Sequence, residues 1–117
     1  MLGNKFAARL NSFSSKPESF WSTKSELNTI DLINRAATVR GLTDIDLNYP
    51  DHLEKDFNNT INSLAENGLN INGYAMRYYN NPQFKLGAFT NPNKKIRQEA
   101  IDLTKRGIDL ARKVKCK

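Results

Sequence analysis

Cysteine and histidine are nearly absent from this chain of 117 residues, where each occurs once, as Cys116 and His52. A single cysteine excludes an internal disulfide and any zinc site built from several thiolates. A single histidine disfavours metal centres built mainly from imidazole groups. Residues 1–5 carry no secretory pattern, so the sequence predicts a protein of a reducing compartment, the cytoplasm.

Long hydrophobic runs and the common catalytic motifs are missing as well. No apolar run approaches the ~20 residues of a membrane helix, and no membrane partner is predicted. The glycine-rich phosphate loop, the nucleophile elbow and the zinc-finger spacing are not found. The hydrophobic content of 38% and the charged content of 26% are typical of one globular domain rather than a disordered chain.

The net charge of +6 raises the question of a nucleic-acid partner. The positive residues concentrate between residues 94 and 117, where Glu99, Asp102 and Asp109 are interleaved with them. That spacing is typical of the solvated face of a helix with cations near its C-terminus. We therefore predict no nucleic-acid partner, although a basic patch remains the alternative interpretation.

The hydrophobic pattern predicts a β-α-β-α-β-α order in one α/β domain. Ile45 and Leu47 alternate with Asp44 and Asp46 as in a strand, and apolar residues recur at helical spacing on either side. Gly41 and Gly68 occupy positions suited to helix C-termini. The predicted strands lie near residues 5–11, 42–48 and 70–78, and the predicted helices near 30–40, 53–67 and 93–114 of a single domain, 1–117.

Polar side chains at the ends of the predicted strands are the candidate ligand-binding residues. Asn11, Asn48 and Arg77 fall at the three strand ends and can form hydrogen bonds with hydroxyl groups. In parallel α/β folds, ligands bind at the carboxyl ends of strands. Trp21, in the loop after the first strand, has an aromatic face that could stack on a sugar ring. Packing of Trp21 in the core is an equal alternative.

Three stretches resemble the N-terminal part of the xylose-isomerase-like TIM-barrel family of sugar isomerases and epimerases. The strongest is TNPNKKIRQEAIDLTKRGIDLARKVK at 90–115, and the others are GLTDIDLNYPDHL at 41–53 and FAARLNSF at 6–13. In the long helix, the residues that match the family pattern are Arg97, Ala100, Ile101, Asp102, Ile108, Asp109, Leu110 and Ala111. The chain departs from the pattern at Lys115, where the family has glycine.

The resemblance implies a partial (β/α)8 TIM barrel of about three βα units with parallel strands. It also implies metal-assisted aldose–ketose isomerisation of a monosaccharide, with a divalent metal of the Mn or Mg type in the complete barrel. Around His52 the sequence offers Asp44, Asp46, Asp51 and Glu54, but we find no acceptable metal site in this chain. Most catalytic residues would lie beyond Lys117, so we expect the chain alone to be inactive.

Two other functions fit the same sequence. A non-catalytic truncated fragment or association module would have open sheet edges, and we expect those edges to favour self-association. A DNA-repair relative of the same barrel class would exploit the positive charge. That relative needs a metal cluster built largely from histidine, and the single His52 argues against it.

Overall fold

The computed structural model describes residues 3–21 and 26–116 and shows a mixed α/β protein. In this part of the chain, one short helical turn precedes three longer helices. In chain order the elements are β1 (Ala7–Arg9), α1 (Pro17–Phe20), α2 (Thr29–Ala37), β2 (Asp44–Tyr49), α3 (Phe57–Glu66), β3 (Asn70–Met76) and α4 (Lys94–Val114). Short 3-10 segments span Leu10–Ser14 and Pro82–Phe84.

The three strands form an open parallel sheet in the order β1-β2-β3. Ala7 is paired with Asp44, and Asp44 in turn with Asn70, so the strands run side by side, with one register shift between β2 and β3 at Ile45 and Asp46. Consecutive parallel strands joined by right-handed crossovers place the connecting helices on one face of the sheet. The predicted mixed α/β class with parallel strands is therefore confirmed.

The hydrophobic core lies between the sheet and the helices. Ile45, Leu47 and Tyr49 alternate along β2 and are buried on the helical side. Helix α2 contributes Ile33 and α3 contributes Leu64 to the same cluster. The alternate residues of β2 are polar, as expected for a strand whose two faces meet different surroundings.

Helix α4 packs on β3 through a close approach at one glycine. The Tyr74 hydroxyl donates a hydrogen bond to the Gly107 carbonyl oxygen. A Cβ atom at Gly107 would lie 2.6 Å from the Met76 sulfur, which is closer than real Cβ contacts allow. The absence of a side chain at Gly107 therefore sets how closely α4 lies against the sheet. No helix in the described part of the chain is both long and apolar enough to cross a lipid bilayer.

Several elements differ in extent from their predicted bounds, and in two of them the burial of a single leucine decides the local structure. The first strand ends at Arg9, since the chain coils into the 3-10 segment that buries Leu10 completely. Helix α3 begins at Phe57 rather than near residue 53, since Leu53 is fully buried in the turn that precedes it. Helix α2 ends at Ala37, three residues before the predicted limit.

The N-cap of α2 is Asn28. The Asn28 side chain accepts a hydrogen bond from the Asp31 backbone N–H at 2.9 Å. In return, the Asp31 carboxylate accepts one from the Asn28 backbone N–H at 3.0 Å. This capping box satisfies two backbone donors that the first turn of a helix leaves without partners.

Candidate functional site

Side chains from all three strands meet at the carboxyl edge of the sheet. Arg9 ends β1, Asn48 lies near the end of β2, and Arg77 directly follows β3. Arg9 Nη2 donates to Asn48 Oδ1 at 3.0 Å, and Arg77 Nε donates to the same oxygen at 3.2 Å. Arg9 Nε also donates to Asn11 Oδ1 at 3.4 Å. We call Arg9, Asn48 and Arg77 the arginine–asparagine cluster.

Asn48 is held in place by the turn that follows β2. It is buried, with 8% of its surface exposed. Its backbone N–H donates to His52 Nδ1 at 2.8 Å, and its carbonyl oxygen accepts from the His52 backbone N–H at 2.9 Å. An Nδ1 atom that accepts a hydrogen bond carries no proton, so His52 is neutral with its proton on Nε2. Burial lowers the pKa of His52, and the nearby Asp51 carboxylate opposes that shift.

The electrostatic character of the cluster is positive. Both guanidinium groups are directed at one neutral amide oxygen instead of a carboxylate. Within residues 3–21 and 26–116 the single ion pair joins Arg106 to Glu54, at 3.7 Å, so neither arginine of the cluster is paired with a carboxylate. The Arg77 guanidinium also lies 5.7 Å from the centre of the exposed Tyr79 ring, at cation–π distance.

The sheet face beside the cluster is polar on β2 and small on β3. Asp46 is paired with Gly73, and Asn48 is paired with Ala75. The Asp46 carboxylate accepts a hydrogen bond from Asn72 Nδ2 at 2.8 Å. Glycine and alanine at these positions leave space on the open face next to the two guanidinium groups.

A cavity of about 340 Å³ adjoins the cluster and shares Arg77 with it. It lies between the β2 turn, the segment after β3, and α4. Small-molecule sites typically measure ~300–1,000 Å³, so this volume is at the lower end of that range. Asn80 Nδ2 donates to the Asp51 carboxylate at 2.7 Å on its wall. The polar and charged residues that line it include Asp51, Glu54, Arg77, Asn80, Glu99 and Arg106.

Three of the four predicted substrate-binding residues are brought together by the fold. Arg9 connects Asn11 to Asn48, and Arg77 donates to Asn48 directly. Trp21 has different neighbours, because its indole N–H donates to the Phe13 carbonyl oxygen at 3.2 Å. The Arg35 guanidinium of α2 lies 5.4 Å from the Trp21 ring centre. Since Phe13 and Asn11 share one 3-10 segment, Trp21 is anchored to the segment that carries Asn11.

Sequence reasoning missed Arg9 and the contact between His52 and Asn48. Extending the first strand to residue 11 hid Arg9 inside it, although a charged residue directly after Ala7 and Ala8 was a usable signal for the strand end. The sequence favours a surface or capping role for His52 beside a helix start over a role as metal ligand. In the structure its Nδ1 accepts a hydrogen bond from the Asn48 backbone N–H, so its role is to position the cluster.

The divalent metal implied by the family resemblance does not fit the described residues. Within residues 3–21 and 26–116, no three side chains of the His, Cys, Asp or Glu type come together as a metal ion requires. The two carboxylates of β2 have other partners, since Asp44 accepts from the Thr43 hydroxyl and Asp46 from Asn72.

No protein-family model matches the sequence, and no curated protein matches it at a significant level of similarity. The resemblance to sugar isomerases therefore stays a prediction. Functional interpretation depends on the side chains at the carboxyl edge of the sheet and on the cavity beside them.

Proposed function

We propose that this chain is the sugar-binding N-terminal part of a xylose-isomerase-like TIM barrel, and that the arginine–asparagine cluster binds a monosaccharide. The consecutive order β1-β2-β3 supports a barrel, in which neighbouring strands follow one another along the chain. Doubly wound sheets instead reverse the strand order at the ligand site. We keep the cytoplasm as the proposed location.

The observation that carries the proposal is the convergence of Arg9 and Arg77 on Asn48 Oδ1 at the carboxyl edge. Ligands of barrels bind at this edge, because side chains from several strand ends meet there. A sugar presents several hydroxyl groups that both donate and accept hydrogen bonds. Guanidinium N–H groups and the amides of Asn11 and Asn48 supply complementary donors and acceptors.

The proposed reaction of the complete barrel is aldose–ketose isomerisation. A divalent metal of the Mn or Mg type would polarise the sugar oxygens in that reaction. The described residues provide no donor set for such a metal, so we assign no catalytic step to them. Their part is to bind the monosaccharide and fix its orientation, with Trp21 as a further predicted contact.

Calorimetric titration of the 117-residue chain with neutral aldoses and ketoses tests the proposal. We expect Asn48→Ala to weaken sugar binding about tenfold or more, because the two guanidinium groups lose their common acceptor. Asn62→Ala, at an exposed position of α3, is the matched control and should bind as the unmodified chain does. Circular dichroism verifies that both variants are folded. Sugar affinity that is unchanged in Asn48→Ala would overturn the assignment.

An association module is the second candidate function. In the described part of the chain, β1 and β3 each pair on one side only, which leaves backbone groups available to another strand. Sedimentation over a range of protein concentrations measures this directly. Self-association without any sugar binding would favour the module over the sugar-binding part of a barrel.

A further inference from the structure

We infer that the monosaccharide bound by the cluster carries an anionic group, a carboxylate or a phosphate, and that this group is held between Arg9 and Arg77. The inference rests on the proposed function for the sugar part of the ligand. It adds the substrate class, a sugar acid or a sugar phosphate, from the charge and geometry of the cluster.

The charge of the cluster is unbalanced in the described part of the chain. The two guanidinium nitrogens lie 3.0 and 3.2 Å from one neutral oxygen, so two like charges approach each other closely. Like charges at such a distance repel one another. The carboxylates near the two arginines have other partners, since Asp46 accepts from Asn72 and Asp51, on the cavity wall, accepts from Asn80. Glu54 on the same wall is paired with Arg106. A ligand anion would supply the ion-pair partner of Arg9 and Arg77.

The hydrogen-bonding geometry leaves suitable donors for that anion. Arg9 is oriented by its bonds to Asn11 and Asn48. Arg77 bonds to Asn48 through Nε, and its two terminal nitrogens make no hydrogen bond to the residues described. A guanidinium group with free terminal nitrogens matches the oxygen pair of a carboxylate or phosphate in a bidentate arrangement.

The residues of β3 beside this anion position are small. Gly73 and Ala75 are the β3 neighbours of Asp46 and Asn48, and neither carries a side chain larger than a methyl group. The β3 face can therefore accept a ligand between the strand and the arginines. Uncharged ring hydroxyls would meet Asn11 and the amide nitrogen of Asn48.

Calorimetry with ligands that share one ring distinguishes the anion from the sugar. The probes are glucose, glucuronate, glucose 6-phosphate and inorganic phosphate, each at about 20 mM and about 200 mM salt. We expect the anionic sugars to bind about tenfold more tightly than glucose at low salt, and to lose most of that advantage at high salt. The tighter of the two anionic sugars identifies the group as carboxylate or phosphate.

Charge-matched variants locate the effect. Arg9→Gln and Arg77→Gln should each remove most of the preference for the anionic sugars. Arg112→Gln removes the same charge from an exposed position of α4 and should keep the preference. Arg9 is exposed, so its substitution should leave the fold intact, which circular dichroism checks.

Each outcome separates this inference from the proposed function. Equal affinity for glucose and glucuronate, or a preference that survives both arginine substitutions, would overturn the anionic substrate class and leave sugar binding standing. Binding of inorganic phosphate as tight as that of glucose 6-phosphate would support the anion position but contradict the sugar contact. Failure of all four probes to bind would overturn the proposed function itself.

Discussion

Replacing Asn48 by aspartate places a carboxylate where the two guanidinium groups already converge. Asp and Asn have nearly the same shape, so Arg9 Nη2 and Arg77 Nε can keep their distances of 3.0 and 3.2 Å to the side-chain oxygen. The Asn48 amide nitrogen makes no hydrogen bond to the described residues. The substitution therefore changes the charge of the acceptor and little else.

The expected magnitude follows from the change in charge of the shared acceptor. Both donors are already charged, so the new contribution is the attraction of the carboxylate to the two guanidinium groups, on the order of 1 kcal/mol for each pair and about 2 kcal/mol for both. Burial of the new carboxylate offsets part of this gain, since the position is 8% exposed. We expect a net increase of about 1 kcal/mol in the free energy of unfolding at pH ~7.

Urea denaturation followed by circular dichroism measures the change, with an unaltered m-value as evidence of an unaltered folded state. The guanidinium groups lower the pKa of the new carboxyl. The gain is therefore complete above the ordinary aspartate pKa of ~3.9 and is lost as the pH falls through the lowered value. Asn62→Asp on the exposed face of α3 is the control. A variant that is less stable than the parent at pH ~7 would refute the positive character of the cluster.

Three further predictions concern the turn, the core and a helix cap. Burial lowers the pKa of His52, so the folded chain should lose stability as the pH falls below ~6.5. In His52→Asn the amide oxygen can still accept from the Asn48 backbone N–H, and urea denaturation at pH ~7 and ~5 should show that the loss is gone. An identical pH dependence of stability in both chains would contradict this prediction. Leu47→Ala should lower the free energy of unfolding by ~2–5 kcal/mol because Leu47 is fully buried. Leu86→Ala, at a residue 72% exposed, is the control and should change it by less than ~0.5 kcal/mol in the same assay. Equal changes in the two variants would contradict the assignment of Leu47 to the core. Asn28→Ala removes the acceptor of the α2 capping box and should cost ~1 kcal/mol in thermal or urea unfolding, so full stability in that variant would argue against the cap.

Regular elements with strong periodicity are predictable from this sequence. The alternation of Ile45 and Leu47 with Asp44 and Asp46 predicts β2, because the two faces of the strand meet a core and a polar surface. Helix α4 follows from its long apolar spacing, and its observed N-cap is Asn93, whose side chain accepts from the Lys95 backbone N–H. Both patterns involve residues that are close together in the chain, so they can be recognised in the sequence.

Elements that depend on tertiary burial are not predictable in the same way. The chain leaves the strand after Arg9 because Leu10 is drawn into the core, and a propensity argument has no access to that contact. The hydrogen bond between Asn48 and His52 depends on the turn after β2. Asn48 and Arg77 were found because parallel strands gather their carboxyl ends at one edge, whereas Arg9 required the true end of β1.

The most direct test of the central claim is an NMR titration of the chain with glucuronate. The observed signals would be the arginine Nε–H groups and the backbone amides, assigned at the cluster and along α4. Binding as proposed predicts saturable shifts at Arg9, Asn48 and Arg77, with Arg112 and Lys113 unchanged. Shifts confined to the basic end of α4, with the cluster signals unmoved, would contradict it.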